Sequence, residues 1–107
     1  MSEDRSSRGQ SPHKLLHLSS ATGEVYVFWC PGCQETHVFT TRYQGRPSWQ
    51  FDGNLEEPTF SPSLLYPDKK PRCHLFLRKG ILEYLGDCDH PLAGQQVPLS
   101  ELPPEYA

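Results

Sequence analysis

The pattern of apolar and polar positions in this chain is short-range and strand-like. From Glu24 to Trp29 the run is β-branched and aromatic, with Val25, Val27 and Trp29 on one face and Tyr26 and Phe28 on the other. Apolar character on both faces predicts a central strand. Thr36 to Tyr43 has similar composition, and the tight Cys30-Pro31-Gly32-Cys33 segment between the two runs makes them a hairpin. A second hairpin spans Arg72 to Gly86, where two apolar runs flank Lys79-Gly80. Glycine there supplies the positive φ that a two-residue turn demands. That turn pairs Arg78 with Ile81, Leu77 with Leu82, Leu75 with Tyr84 and Cys73 with Gly86. Trp49-Gln50-Phe51 reads as a short strand that Asp52-Gly53 ends, and His13 to Leu18 as a first strand or one helical turn. Leu55 to Pro71 holds four prolines, which predict an extended connection with Ser63 to Tyr66 as an edge strand.

Composition narrows the picture. Eleven prolines and eight glycines in 107 residues leave no stretch longer than Cys33 to Gln44 free of both, which excludes long helices. The expectation is a mostly β, small zinc-ribbon-like protein of two or more antiparallel hairpins joined by proline-rich loops. Residues 1–12 read as a disordered polar arm, 13–99 as one zinc-binding β domain and 100–107 as a tail. No apolar run approaches the ~20 residues of a membrane span. The polar opening MSEDRSSRGQSP lacks the apolar core of a secretory signal, so a reducing, cytoplasmic setting is expected. With 10 Lys+Arg against 13 Asp+Glu, a formal charge of −3, the chain is a poor non-specific nucleic-acid binder.

The four cysteines carry the clearest chemistry. Cys30-x-x-Cys33 has zinc-knuckle spacing, and β-branched residues follow it where a redox CxxC would open a helix. In the second hairpin, strand alternation puts Cys73 and Cys88 on one face near the open end. The metal set is therefore Cys30, Cys33, Cys73 and Cys88, a closed tetrahedral site. His74 and His90 are alternates, because a three-residue turn or a bulge at Gly86 would slip the register and turn His74 inward. Adjacent strand residues face opposite ways, so Cys73 and His74 do not serve one ion together. His13, His17 and His37 read as surface or packing residues, His37 least firmly because it lies four residues past Cys33. In a reducing compartment metal is favoured over disulfides.

Two other segments hold polar chemistry. Asp52 to Ser63 is braced by proline and presents Thr59, Ser61 and Ser63, but no glycine elbow marks a nucleophile, and turn capping is the simpler reading. Asp87-Cys88-Asp89-His90 gathers two acids, a thiol and an imidazole. There His74 and His90 could flank the metal or act as acid–base groups.

Taken in order, several motifs resemble a family of small phage and prophage proteins. They are Phe28-Trp29-Cys30-Pro31-Gly32-Cys33 with His37, Trp49-x-Phe51-x-Gly53, Pro58-Thr59-Phe60-Ser61-Pro62-Ser63, Cys73-His74-x-Phe76 and Asp87-Cys88-x-His90-x-Leu92-Ala93-Gly94. Members often carry the label "ammonia monooxygenase", which a chain with no membrane span and no copper site does not support. The resemblance implies a small metal-binding protein acting in the bacterial cytoplasm, and it brings His37, His74 and His90 forward beside the cysteines. The leading expectation is a zinc-stabilised binding module whose partner is a host or phage protein. A metal-dependent, hydrolase-like enzyme with an open zinc position near His74 and His90 is the second reading. A nucleic-acid-binding zinc ribbon using Arg42, Arg46, Lys69, Lys70, Arg72, Arg78 and Lys79 is the third.

Overall fold

A computed structural model describes residues 14–42, 45, 47–68 and 70–104. The proposed N-terminal arm lies outside these residues. Among them the protein is mostly β, with eight strands in two antiparallel sheets. The first sheet holds β1 (Leu16–Ser20), β2 (Gly23–Cys30) and β3 (Glu35–Thr41) in that order. The second runs β4 (Gln50–Phe51), β5 (Phe60–Tyr66), β6 (Cys73–Arg78), β7 (Ile81–Tyr84) and β8 (Gln96–Pro98). The segment from His13 that could have been a strand or a helical turn is strand from Leu16 onward.

The hairpins form where the pattern places them. β2 and β3 pair from Glu24↔Thr41 to Cys30↔Glu35, with the CxxC segment as their connection. In the β6–β7 hairpin Arg78 faces Ile81, Leu77 faces Leu82 and Leu75 faces Tyr84, around a turn in which Lys79 and Gly80 both take positive φ. The proline-rich connection is more ordered than a loop. From Phe60 onward it is β5, lying between β4 and β6. Its register is broken: Phe60 faces Leu77 and Leu64 faces Leu75, so four steps along β5 match two along β6. The two extra residues form a bulge that pushes Ser61 and Pro62 to the surface.

Period-two alternation sorts each strand of the second sheet into an inner and an outer face. Cys73, Leu75, Leu77, Leu82 and Tyr84 point inward and are buried. His74, Phe76 and Arg78 alternate with them on the outer face. The inner faces of the two sheets meet through stacked aromatic rings. Phe60 lies parallel to Phe39 at 4.2 Å and to Phe51 at 4.5 Å, and Phe39 stacks on Phe28 at 5.4 Å. Phe60 thus joins both sheets. Phe60→Ala is expected to cost about 3–5 kcal/mol, the usual range for losing a buried phenyl ring. Urea unfolding of the variant beside the wild type checks this, with the midpoint shifted and the slope unchanged.

Candidate active site and metal centre

Two clusters of chemistry lie back to back across β6. The inner cluster starts at the β2–β3 turn. Cys30 ends β2 on the same face as Tyr26 and Phe28, and the Gln34 amide donates to the Cys30 carbonyl at 2.8 Å to close the turn. His37 comes from the inner face of β3 and Cys73 from the first position of β6. One atom from each of Cys30, Cys33, His37 and Cys73 falls within 4.8 Å of every other, the arrangement of a group able to hold a metal ion. The Cys30 and Cys73 sulfurs are 3.9 Å apart, and no disulfide joins the cysteines among the described residues.

His37 is the informative member. It is 2% exposed, and its Nδ1 lies 3.0 Å from the Thr36 carbonyl oxygen. That bond places the proton on Nδ1 and leaves a lone pair on Nε2, which is buried with no hydrogen-bond partner. A buried imidazole nitrogen without a partner is costly unless something accepts its lone pair. The thiols beside it are strongly biased. Hydrogen bonding from Cys73, then the adjacent His37 ring and the Tyr84 hydroxyl at 3.1 Å, hold the Cys30 thiol well below its ordinary value against its burial. Cys73 is pushed up, first by sharing its proton with Cys30 and then by burial. Burial, and then the bond to Cys30, also keeps the Tyr84 phenol protonated. Cys30 and Cys73 share a proton within a buried group of donors that could hold a metal ion.

Cys88 lies within ligand reach of Cys73, as the hairpin parity suggested, but outside the four-membered group. Its sulfur donates to the His74 carbonyl at 3.2 Å and accepts from the His74 amide at 3.3 Å. With Cys73 and His90 it forms a second, three-membered group within metal-ligand reach. His90 packs over the knuckle, its Nε2 3.6 Å from the Cys73 sulfur. Its ring lies so close to Gly32 that a Cβ there would fall 2.4 Å from the imidazole. Glycine at 32 is what permits that approach. His37 is the ligand candidate that spacing alone undervalued, since only the pairing of Phe28 with His37 aims its ring at the cysteines.

The outer cluster belongs to β5, β6 and the loop after β7. The Ser63 hydroxyl lies 3.2 Å from His74 Nε2. On the other side of the same ring, His74 Nδ1 lies 3.2 Å from Asp87 Oδ1 and 3.1 Å from Oδ2. One tautomer satisfies all of these contacts: Nδ1–H donates to the carboxylate, and Nε2 accepts from the serine. His74 is therefore placed away from the inner group. Its backbone is fixed by the Cys88 thiol and by the Leu85 amide, which donates to the His74 carbonyl at 2.9 Å. Arg72 holds the far end, with Nη2 2.9 Å and Nε 3.3 Å from Asp87 Oδ2. These bonds, then the bond from His74, hold the Asp87 carboxyl below the usual carboxylate range. Sequence reading had Ser63 among its presented hydroxyls and His74 and Asp87 near a metal, but nothing in the spacing joined the three. The β5 bulge sets the register that pairs Leu65 with His74 and leaves Ser63 diagonal to the histidine on the same face, and no one-dimensional signal announces a two-residue bulge.

The sequence profile of one family, described as bacterial ubiquitination-like system serine protease (BubE), matches residues 2–85. The chain belongs to that family. The matched residues include Ser63, His74 and the whole inner group, while Asp87 lies two residues beyond their end. No curated protein and no solved structure matches the chain.

The lowered Asp87 value has a signed consequence. A carboxylate whose folded value is depressed adds stability above its unfolded value, and that stability is lost as pH falls through the folded one. Arg72→Ala removes the main cause. The Asp87 midpoint, followed by side-chain carboxyl NMR, is expected to rise toward the ordinary range, with acid loosening of the 87–90 loop beginning at higher pH.

Proposed function

We propose that this protein is a serine peptidase in which Ser63 is the nucleophile, His74 the general base and Asp87 the residue that orients the base. The observation that carries the reading is the continuous hydrogen-bonded series from Ser63 through both ring nitrogens of His74 to Asp87. Such a set is recognised by geometry and roles, not by chain order. The family description, a serine protease of a bacterial ubiquitination-like system, supports the same chemistry. A peptide-bond substrate follows from it, and the expected protein partner becomes the substrate.

In the first half-reaction the Ser63 oxygen attacks the scissile carbonyl while His74 Nε2 takes the hydroxyl proton. The tetrahedral adduct collapses, the C–N bond breaks, and the same nitrogen returns the proton to the leaving amine. Water then enters, loses a proton to His74 and releases the acyl group as a carboxylic acid, restoring Ser63. Asp87 keeps the imidazole in the required tautomer and offsets the positive charge that forms on it. Arg72 keeps Asp87 ionised and in place.

The inner group is proposed as a structural zinc site of three thiolates and one imidazole, with Cys30, Cys33, His37 and Cys73 as ligands. Four protein donors make a closed tetrahedral site, which fits a structural ion rather than a catalytic one. The Thr36 carbonyl bonded to His37 Nδ1 supplies the outer partner that metal-bound histidines need. His37 takes the place of Cys88 in this set, because His37 is within ligand reach of Cys30, Cys33 and Cys73 together, while Cys88 groups only with Cys73 and His90. Structural zinc contributes roughly 10–16 kcal/mol in small fingers, comparable with the whole net stability of about 5–15 kcal/mol expected of such a domain.

A fluorophosphonate reagent tests the first proposal. The wild type should carry one covalent adduct, on Ser63, by peptide mass spectrometry. Ser63→Ala should carry none, and His74→Ala should react at least about a thousandfold more slowly. A wild type that stays unlabelled, or labels elsewhere, overturns the reading. Metal analysis of purified protein tests the second. One zinc per chain is expected in the wild type and in Cys88→Ser, with stoichiometric loss and a lower melting temperature in His37→Ala.

A further inference from the structure

Among the described residues, β5 has no paired strand on its β4 side beyond Ser61. β4 pairs with β5 only at Gln50↔Ser61 and Phe51↔Phe60, and the Asp52 amide adds one bond to the Thr59 carbonyl. The chain then leaves the sheet. The Trp49 amide donates instead to the Thr40 carbonyl of β3 at 2.8 Å, and the Trp49 indole reaches back to the Ser63 carbonyl at 3.1 Å. Among the described residues no strand pairs with Ser63 to Tyr66 on this side.

The ladder on the other side shows which backbone groups are left. The His74 carbonyl accepts from Leu85, so His74 turns its backbone toward the β7 side. Its partner Leu65 is therefore in a non-hydrogen-bonded pair, and its N–H and C=O point outward, away from β6. Leu65 is 40% exposed and lies two residues from Ser63 on the same face. An outward donor–acceptor pair and an exposed apolar side chain next to a nucleophile match one occupant, an extended polypeptide.

We propose that the substrate adds to this edge as an antiparallel strand, with the Leu65 N–H and C=O pairing with its main chain. In that direction the residues paired with Leu65 precede the scissile bond, whose carbonyl is delivered to Ser63. Sequence tolerance follows, because main-chain pairing supplies the affinity and the Leu65 side chain adds only an apolar contact. The substrate class is a disordered or terminal segment able to become extended, not a folded surface. This assignment rests on Ser63 being the nucleophile.

The test separates the two claims. The probes are a small fluorophosphonate, a randomised tetrapeptide phosphonate library, and the same library N-methylated at every second amide in each of its two frames. Wild-type protein should react with the small reagent at Ser63. It should react with the tetrapeptide library at least about tenfold faster, and N-methylation in one frame should abolish that gain. Leu65→Pro, which removes an N–H outside the ladder, should lose the tetrapeptide gain, read as the ratio of its own tetrapeptide and small-reagent rates. Leu65→Thr, which keeps the N–H, should retain the gain. Failure of the small reagent on wild type overturns the nucleophile and this proposal together. Normal reaction with the small reagent but no gain from peptide length, or a gain indifferent to N-methylation, overturns strand addition alone. The N-methylated libraries decide the matter on wild-type protein even if Leu65→Pro fails to fold.

Discussion

The alternation of a single strand governs this molecule. Cys73 and His74 are consecutive residues of β6, so their side chains must leave the sheet in opposite directions. Cys73 enters the core and joins the sulfur-rich group beneath the first sheet. His74 emerges on the outer face between Ser63 and Asp87. One peptide bond separates the two clusters, and anything that shifts β6 along its axis disturbs both.

The rest of the fold keeps β6 in place. The phenyl rings of Phe39, Phe51 and Phe60 bind the sheets over a core that is small for two layers. Cys30 and Cys33 reach from the first sheet and Cys73 from the second, so a shared ion would hold the sheets together where the aromatic stack ends. His90 seated on Gly32 ties the loop after β7 to the same corner. That loop also carries Asp87 and Cys88, which orient the His74 ring and fix its backbone.

How much was legible depended on whether the signal was local. The β6–β7 hairpin could be read residue by residue from Arg78–Ile81 to Leu75–Tyr84, because Lys79-Gly80 sets the turn and the turn sets the register; the expected Cys73–Gly86 pair falls beyond the end of β7 and is not formed. The Cys30–Cys33 knuckle was legible for the same reason. Cys88 lies past the end of the strand at Tyr84, where the chain turns through Leu85 to Asp89, yet it still comes within ligand reach of Cys73. His37 was undervalued because its partner is Phe28 across the β2–β3 ladder, and its unpaired nitrogen becomes apparent only once the thiols are placed around it. Ser63 lay hidden in a proline-rich stretch that resembles loop. Its position depends on two extra residues in β5, and hydrophobic periodicity does not count those.

The contact between the Trp49 indole and the Ser63 carbonyl gives the molecule a built-in optical reporter. An indole is a fluorophore whose emission responds to its own hydrogen bond and to the polarity around it. One of the two tryptophans in the chain is bonded to the backbone of the residue assigned as nucleophile. A strand seated on the neighbouring edge would alter the surroundings of this indole, whose emission could be read with neither a label nor turnover.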